Sequence, residues 1–118
     1  MKIGIIGSRT FNDYELLKEV MNDYLDRDNE LNCELVVSGG AKGADKLGER
    51  WANENNIPTK IFKPDWSKYG KSAGFIRNQD IIKNSDMIVA FWDKISKGTK
   101  SSIDLCVKSG KIVKIVDF

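Results

Sequence analysis

Short apolar runs alternate along the chain with longer stretches in which apolar residues recur every three or four positions. The runs predict five strands, and the longer stretches predict four amphipathic helices. The predicted strands are residues 2–6, 34–38, 59–62, 87–91 and 111–116. The fourth run is apolar throughout, which is typical of a strand that is buried on both faces of a parallel sheet.

The helical stretches are bounded by residues that commonly begin or end helices. The first follows Asn12 and Asp13, either of which can act as the N-cap, and its apolar positions continue to Leu25. The second breaks before Pro58, and the fourth ends at Gly110. One face of the second helix is predicted to carry Ala44, Leu47, Gly48, Trp51 and Ala52, and this helix frays at Asn55 and Asn56. The last two helices are predicted over residues 73–84 and 101–109, and residues 63–71 are predicted to be irregular.

Strands that alternate with helices predict an α/β fold in which every connection is a right-handed crossover. We expect a Rossmann-like, doubly wound domain, with a five-stranded parallel sheet and helices on both faces. Its 118 residues suit a single domain over residues 1–118. The strand order 3-2-1-4-5 is expected. Ligands of such sheets lie outside the carboxyl ends of the strands, so the loops there are the candidate functional segments.

The amino-acid composition limits the class of protein to which this chain can belong. The chain is 41% hydrophobic and 31% charged, with a formal net charge of +2, which is typical of a globular protein and argues against a nucleic-acid coat. It has no apolar run long enough for a membrane span and no leader pattern, so a cytoplasmic protein without a membrane partner is expected. Cys33 and Cys106 are expected to be reduced, mostly buried thiols.

Histidine is absent from the sequence. A Ser-His-Asp triad, a Cys-His pair and a His-ligated zinc site are therefore excluded, and we expect neither a metal nor a cofactor. Any general acid or base must come from Asp, Glu, Lys, Tyr or Cys.

Charge is unevenly distributed. Residues 13–34 contain eight acidic and two basic residues, whereas residues 94–114 contain six lysines and one acidic residue, Asp104. These segments can form two solvated faces of opposite sign, or they can pair between chains in a homo-oligomer.

Three glycines follow the second predicted strand in the segment SGGAKGAD, residues 38–45. Gly39 and Gly40, which follow Ser38, allow the backbone to turn sharply and to direct N–H groups at a ligand. Gly43 opens the next helix, whose N-terminus carries partial positive charge. Together these features suit a phosphate or a phosphoribosyl group, although a tight turn without a ligand is the alternative. The segment matches neither the Walker A nor the GxGxxG pattern.

Other polar residues are predicted to lie at the same edge of the sheet. Asp45, in the first turn of the second helix, either complements the helix dipole or binds ribose hydroxyls. Arg9, in the first loop GSRTF, either pairs with phosphate or lies on the surface. Arg77 and Asn78, in the first half of the third helix, either point into the cleft or are surface residues.

The loop before the fourth predicted helix offers a second anion site. Gly98 and Thr99, with the nearby Ser101 and Ser102, place N–H groups and hydroxyls at a helix start. The aromatic residues Trp66, Tyr69 and Trp92 can stack on a base, or they can pack within the loops and the core.

These loops occur in a recognisable order. The segments GSRTF, VVSGGAKGAD, NSDMIVAFWD and SKGT resemble the YspA/YpsA-related branch of the SLOG superfamily, which is named after the Smf/DprA and Lonely Guy proteins. The resemblance implies a Rossmann-like domain that binds nucleotides or nucleotide-derived ligands. Some members are phosphoribohydrolases, others are sensor domains, and DprA-type members bind single-stranded DNA. By position, the implied pocket comprises Gly7, Ser8, Arg9, Ser38, Gly39, Gly40, Gly43, Asp45, Arg77, Asn78, Gly98 and Thr99.

One departure from the family pattern bears on catalysis. The hydrolase branch has PGGxGTxxE in its fourth loop, with the glutamate as acid/base, whereas this chain has ISKGTKSSID and Ser102 at that position. The sequence therefore favours a stand-alone module that binds a small nucleotide-derived ligand as a sensor or by sequestering it. The first alternative is a phosphoribohydrolase in which Asp45 is the acid/base and Arg77 stabilises charge. The second is a single-stranded nucleic-acid binder that uses lysines with Trp66 and Tyr69.

Overall fold

The computed structural model describes residues 1–26 and 32–118. The strands are β1 (Lys2–Gly7), β2 (Leu35–Ser38), β3 (Thr59–Ile61), β4 (Met87–Trp92) and β5 (Ile112–Asp117). The helices are α1 (Tyr14–Met21), α2 (Ala44–Glu54), α3 (Trp66–Tyr69), α4 (Ala73–Lys83) and α5 (Lys97–Lys108). Short 3₁₀ segments follow α1 and precede α4, at Asn22–Tyr24 and Gly70–Ser72.

The five strands form one parallel sheet in the order β3-β2-β1-β4-β5. The predicted fold class and strand order are confirmed. Gly4, near the middle of β1, lies opposite Val37 of β2 and Ile88 of β4. The strand order reverses between β1 and β4, and the carboxyl ends of these two strands mark the expected ligand position.

Two apolar cores cover the two faces of the sheet. On one face, Leu17 and Met21 of α1 and Trp51 of α2 are fully buried against the strands. On the other face, Ile81 of α4 and Cys106 of α5 are buried. Each such aliphatic or aromatic side chain contributes about 1.5–3 kcal/mol when it is removed from water. The sheet edge that carries the candidate loops is therefore held by helices on both faces.

Three local predictions differ from the structure. Helix α1 ends at Met21 and continues only as a 3₁₀ turn. The segment predicted to be irregular contains α3, which Asp65 caps by accepting a hydrogen bond from the Lys68 N–H. Helix α5 begins at Lys97 instead of residue 101, because Ser96 caps it. The acidic segment 13–34 includes residues 27–31, which lie outside the described residues.

Both cysteines are free and buried. Across the described part of the chain, no helix is long and apolar enough to cross a membrane.

Candidate functional site

Two adjoining cavities open where the loops after β1, β2 and β4 meet. The first has a volume of about 300 Å³, and we call it the α5 lobe. It is lined by Ile6, Gly7, Arg9, Ala41, Asp45, Arg77, Asn78, Ser96, Gly98, Thr99 and Ser102. The second, of about 380 Å³, is called the α3 lobe. It is lined by Arg9, Gly39, Gly40, Ala41, Lys63, Pro64, Trp66, Gly74 and Arg77. Because Arg9, Ala41 and Arg77 line both, the lobes form one cleft.

The glycine loop after β2 is closed by a carboxylate of the protein itself. Asp45 Oδ2 accepts hydrogen bonds from the N–H groups of Gly39, at 3.2 Å, and Ala41, at 3.3 Å. The Gly40 N–H donates to Ser38 Oγ at 3.2 Å, and this hydroxyl lies 2.7 Å from Glu49 Oε2. The amides that we expected to face a ligand are thus bonded within the protein. An anion in the cleft must be bound mainly by other groups.

Two of the glycines are required by close packing. A Cβ at position 39 would lie 2.6 Å from Arg77 Nη1 and 2.8 Å from Asp45 Oδ2, so only glycine leaves room for both charged groups. Gly43 has a φ of +82°, and a Cβ there would lie 2.4 Å from the carbonyl oxygen of Ser8. The glycine run therefore packs the β2 loop against the β1 loop and admits a charged pair beside it.

Asp45 is a buried carboxyl group at the wall of the cleft. Only 5% of its surface is exposed, and this burial raises its pKa from 3.8 to about 6. The N–H of Ala41, the positive charge of Arg77 and the N–H of Gly39 oppose that rise. Asp45 therefore titrates close to neutral pH. A carboxyl group perturbed in this way and located in a cleft is typical of functional sites.

Arg77 reaches from α4 across the cleft to the glycine loop. Its Nη1 donates to the carbonyl oxygen of Gly39 at 2.7 Å, and its Nε donates to Asn78 Oδ1 at 2.8 Å. Burial lowers the pKa of Arg77, the negative charge of Asp45 opposes this, and the positive charge of Arg9 lowers the pKa further. Two guanidinium groups that repel each other across one cleft favour an anion between them.

The start of α5 forms the opposite wall of the α5 lobe. Ser96 Oγ accepts a hydrogen bond from the Thr99 N–H at 3.4 Å and lies 3.1 Å from Thr99 Oγ1. Asp93 fixes the preceding turn by accepting from the N–H groups of Ser96 and Ile95, which lowers the pKa of Asp93. No atom lies within 4 Å of the position that a Cβ of Gly98 would occupy. The first turn of α5 therefore borders open space in the cleft.

Besides Tyr69 and Ser101, four predicted site residues lie outside the cavity lining. Ser8 and Ser38 are buried, and Ser8 Oγ accepts a hydrogen bond from the Asp93 N–H at 3.3 Å. Gly43 packs against the β1 loop. Trp92 donates from Nε1 to the carbonyl oxygen of Ser96 at 3.0 Å and packs against the apolar core formed with α4 and α5. These residues join the loops that form the cleft.

Several residues of the lining were not among the predicted site residues. Ala41 and Lys63 lack a chemical signature in the sequence. Ser96 had one, because it precedes Thr99 by three positions as an N-cap does, but the predicted helix began too late. Within residues 1–26 and 32–118, no three His, Cys, Asp or Glu side chains come together as metal ligands would.

Comparisons with known proteins agree with this architecture. The profile of the YspA, cpYpsA-related SLOG family (YAcAr) matches residues 1–69. The gene 61 protein of Mycobacterium phage D29 is 30% identical over 123 residues, which cover 99% of this chain and 95% of that protein. DNA processing protein A (DprA) from Streptococcus pneumoniae has a similar structure, with a TM-score of 0.59 at 17% identity. That similarity covers 98% of this chain but only 58% of the DprA chain, and it shows a shared fold. The chain belongs to the YspA, cpYpsA-related SLOG family.

Proposed function

We propose that this chain binds a nucleotide or a nucleotide-derived ligand in the cleft, as a sensor or as a sequestering module. The main support for this proposal is that Arg9 and Arg77 line both lobes and that their positive charges repel each other there. Membership of the SLOG family independently suggests nucleotide-related binding or processing. A phosphoribosyl, ADP-ribose or cyclic-nucleotide-like group would bring the negative charge that this arrangement favours.

The α5 lobe has the chemistry that a sugar phosphate requires. The hydroxyls of Ser96, Thr99 and Ser102 and the amide of Asn78 border it, and each can donate or accept a hydrogen bond. Backbone N–H groups in the first turn of α5 add partial positive charge. We place a phosphate between the arginines and this turn, and ribose hydroxyls near Asp45.

Substitution of Arg9 tests the phosphate contact separately from folding, because the Arg9 side chain lines both lobes and is exposed to solvent. Arg9→Ala is expected to weaken binding by about 10- to 100-fold, the range for one hydrogen bond to a charged group. Unfolding free energy should change by less than about 0.5 kcal/mol. Calorimetric titration with the four common nucleoside 5′-monophosphates and ADP-ribose measures the effect.

Arg50→Ala is the matched control for that titration. It removes the same charge, but Arg50 lies over the Tyr14 ring and beside Glu54, on the outer side of α2. Equal losses of affinity in the two variants would mean that net charge, and not a contact by Arg9, determines binding.

A second candidate function is hydrolysis of the N-glycosidic bond of a nucleoside monophosphate. It is favoured by the pKa of about 6 at Asp45, which suits a general acid/base near neutral pH. Water would add to C1′ as the bond to the base nitrogen breaks. Ionised Asp45 would accept a proton from that water and would then pass this proton to the nitrogen of the leaving base.

The same burial also limits this chemistry. Asp45 Oδ2 already accepts two backbone hydrogen bonds, so Oδ1 is the oxygen left for a substrate. Incubation of the wild-type protein with each nucleoside monophosphate, followed by chromatography for free base, separates the two candidates. Release of base that Asp45→Asn abolishes would establish the enzyme, whereas bound and intact nucleotide would establish the binding module.

A further inference from the structure

We infer that the α3 lobe is the subsite for the aromatic base of the ligand and that Trp66 provides its stacking surface. The inference rests on the proposed function, because it assigns the part of a nucleotide that the arginines and the α5 lobe do not bind. It names the ligand class more narrowly, as a nucleotide that keeps its base.

Trp66 is a large aromatic residue in an exposed position. It lines the α3 lobe, and 57% of its surface is accessible to solvent. Its Cη2 lies 3.8 Å from the point where Gly74 would carry a Cβ, so the ring borders the bare backbone at the start of α4. A tryptophan exposed on the wall of a cavity offers a flat apolar surface to a ligand.

The ring is carried by an ordered element. Asp65 caps α3 by accepting from the Lys68 N–H at 3.1 Å, and the Tyr69 N–H donates to the Asp65 carbonyl oxygen at 3.0 Å. The 3₁₀ segment Gly70–Ser72 then runs directly into α4, which also carries Arg77. Trp66 and Arg77 therefore lie on consecutive short helices, and the chain turns between them at Gly70, where φ is +54°.

The two lobes differ in chemistry in the way that the two ends of a nucleotide differ. The α5 lobe is lined by a carboxylate, an amide and hydroxyls, which suit a sugar and its phosphate. The α3 lobe is lined by Trp66, Pro64 and glycine backbone, with one lysine, Lys63, which suits a flat base with polar edges. Arg9 and Arg77 lie on both, where the charged part of the ligand would be.

The other candidate aromatic residues do not offer this surface. Trp92 is partly buried and bonded to Ser96, and Tyr69 lines neither lobe. Within the described residues, Trp66 is the aromatic side chain that borders the cleft.

Calorimetric titrations with ribose 5-phosphate and with the four common nucleoside 5′-monophosphates test the assignment. We expect the wild-type protein to bind at least one monophosphate about tenfold or more tightly than ribose 5-phosphate, since stacking on an aromatic side chain contributes on that order. Trp66→Ala should abolish this preference and leave the affinity for ribose 5-phosphate unchanged. Trp66→Phe should keep most of the preference, because it keeps a stacking ring.

Tyr69→Ala is the matched control, because it removes another exposed aromatic residue from α3 without altering the lining of the cleft. It should leave the preference intact. The stacking assignment is overturned if the preference survives Trp66→Ala, or if the wild-type protein binds ribose 5-phosphate and all monophosphates equally. Neither result would contradict the proposed anion site. Failure of the wild-type protein to bind any of these probes overturns the assignment and counts against the proposed function as well.

Discussion

Asp45→Asn is expected to stabilise the folded chain at pH 7 by about 2–3 kcal/mol, the free energy that corresponds to raising a carboxyl pKa from 3.8 to about 6. Between these two pH values the folded chain binds more protons at Asp45 than the unfolded chain does. The contribution of Asp45 to the unfolding free energy of the wild-type protein is therefore fully present below pH 3.8 and is lost as the pH rises through about 6. Asparagine is neutral at every pH and avoids the cost of burying a charge.

Denaturant unfolding of the wild-type protein and Asp45→Asn from pH 3.5 to 7.5 measures this effect. The difference in unfolding free energy should be small at the acid end and should grow to its full value near pH 7, while other titrating groups cancel between the two proteins. The asparagine carbonyl can still accept from the Gly39 and Ala41 N–H groups. Asp45→Ala cannot, so it should be less stable than Asp45→Asn by about 1–3 kcal/mol.

An asparagine variant that is less stable than the wild-type protein at pH 7 would contradict the electrostatic account. It would mean that the hydrogen bonds and the neighbouring Arg77 more than offset the burial of the Asp45 charge. The ionised carboxylate would then stabilise the loop, and the presence of an aspartate at position 45 would need no functional explanation.

Arg77→Met is expected to destabilise the fold by about 2–3 kcal/mol at pH 7 and to abolish nucleotide binding. Methionine keeps much of the apolar stem but leaves the Gly39 carbonyl oxygen without its donor and removes the positive charge beside Asp45. Removing one partner of a fully buried pair costs about 3–5 kcal/mol, and we take less because Arg77 is only half buried. The pKa of Asp45 should rise further above 6.

A double-mutant cycle with Asp45→Asn tests the cause of this destabilisation. If Arg77 mainly compensates the buried charge, Arg77→Met should cost clearly less in the Asp45→Asn background than in the wild-type protein. An equal cost in both backgrounds would assign the effect to packing and to the Gly39 hydrogen bond. Unfolding free energies of the four proteins at pH 7 provide the answer.

The interior position of β4 follows from a feature that is local in the sequence, whereas the order of all five strands was expected only by analogy with doubly wound sheets. The fully apolar run at 87–91 is typical of an interior strand of a parallel sheet, and β4 is observed between β1 and β5. The loops at the carboxyl ends were predictable for the same reason, since a parallel sheet brings them to one edge. Arg9, Arg77 and Gly98 accordingly come together around one cleft.

The hydrogen bonds inside the site were not predictable in this way. The Gly39 and Ala41 N–H groups donate to the side chain of Asp45, in the first turn of α2, and a glycine pattern does not reveal this contact. The requirement for glycine at position 39 comes from Arg77, which is 38 positions away along the chain. Helix α3 was missed because its four residues are too short for a helical period, although Asp65 provided a cap.

We propose that a phosphate-bearing ligand occupies the cleft between the arginines and the start of α5. The most direct measurement is an amide NMR spectrum of the wild-type protein titrated with the nucleoside 5′-monophosphates and ADP-ribose. We predict that at least one probe gives saturable shifts concentrated at Arg9, Ala41, Gly98 and Thr99. If no probe shifts these amides, or if the shifts instead surround the separate cavity lined by Gln79, Ile82 and Leu105, the assignment of the cleft is wrong.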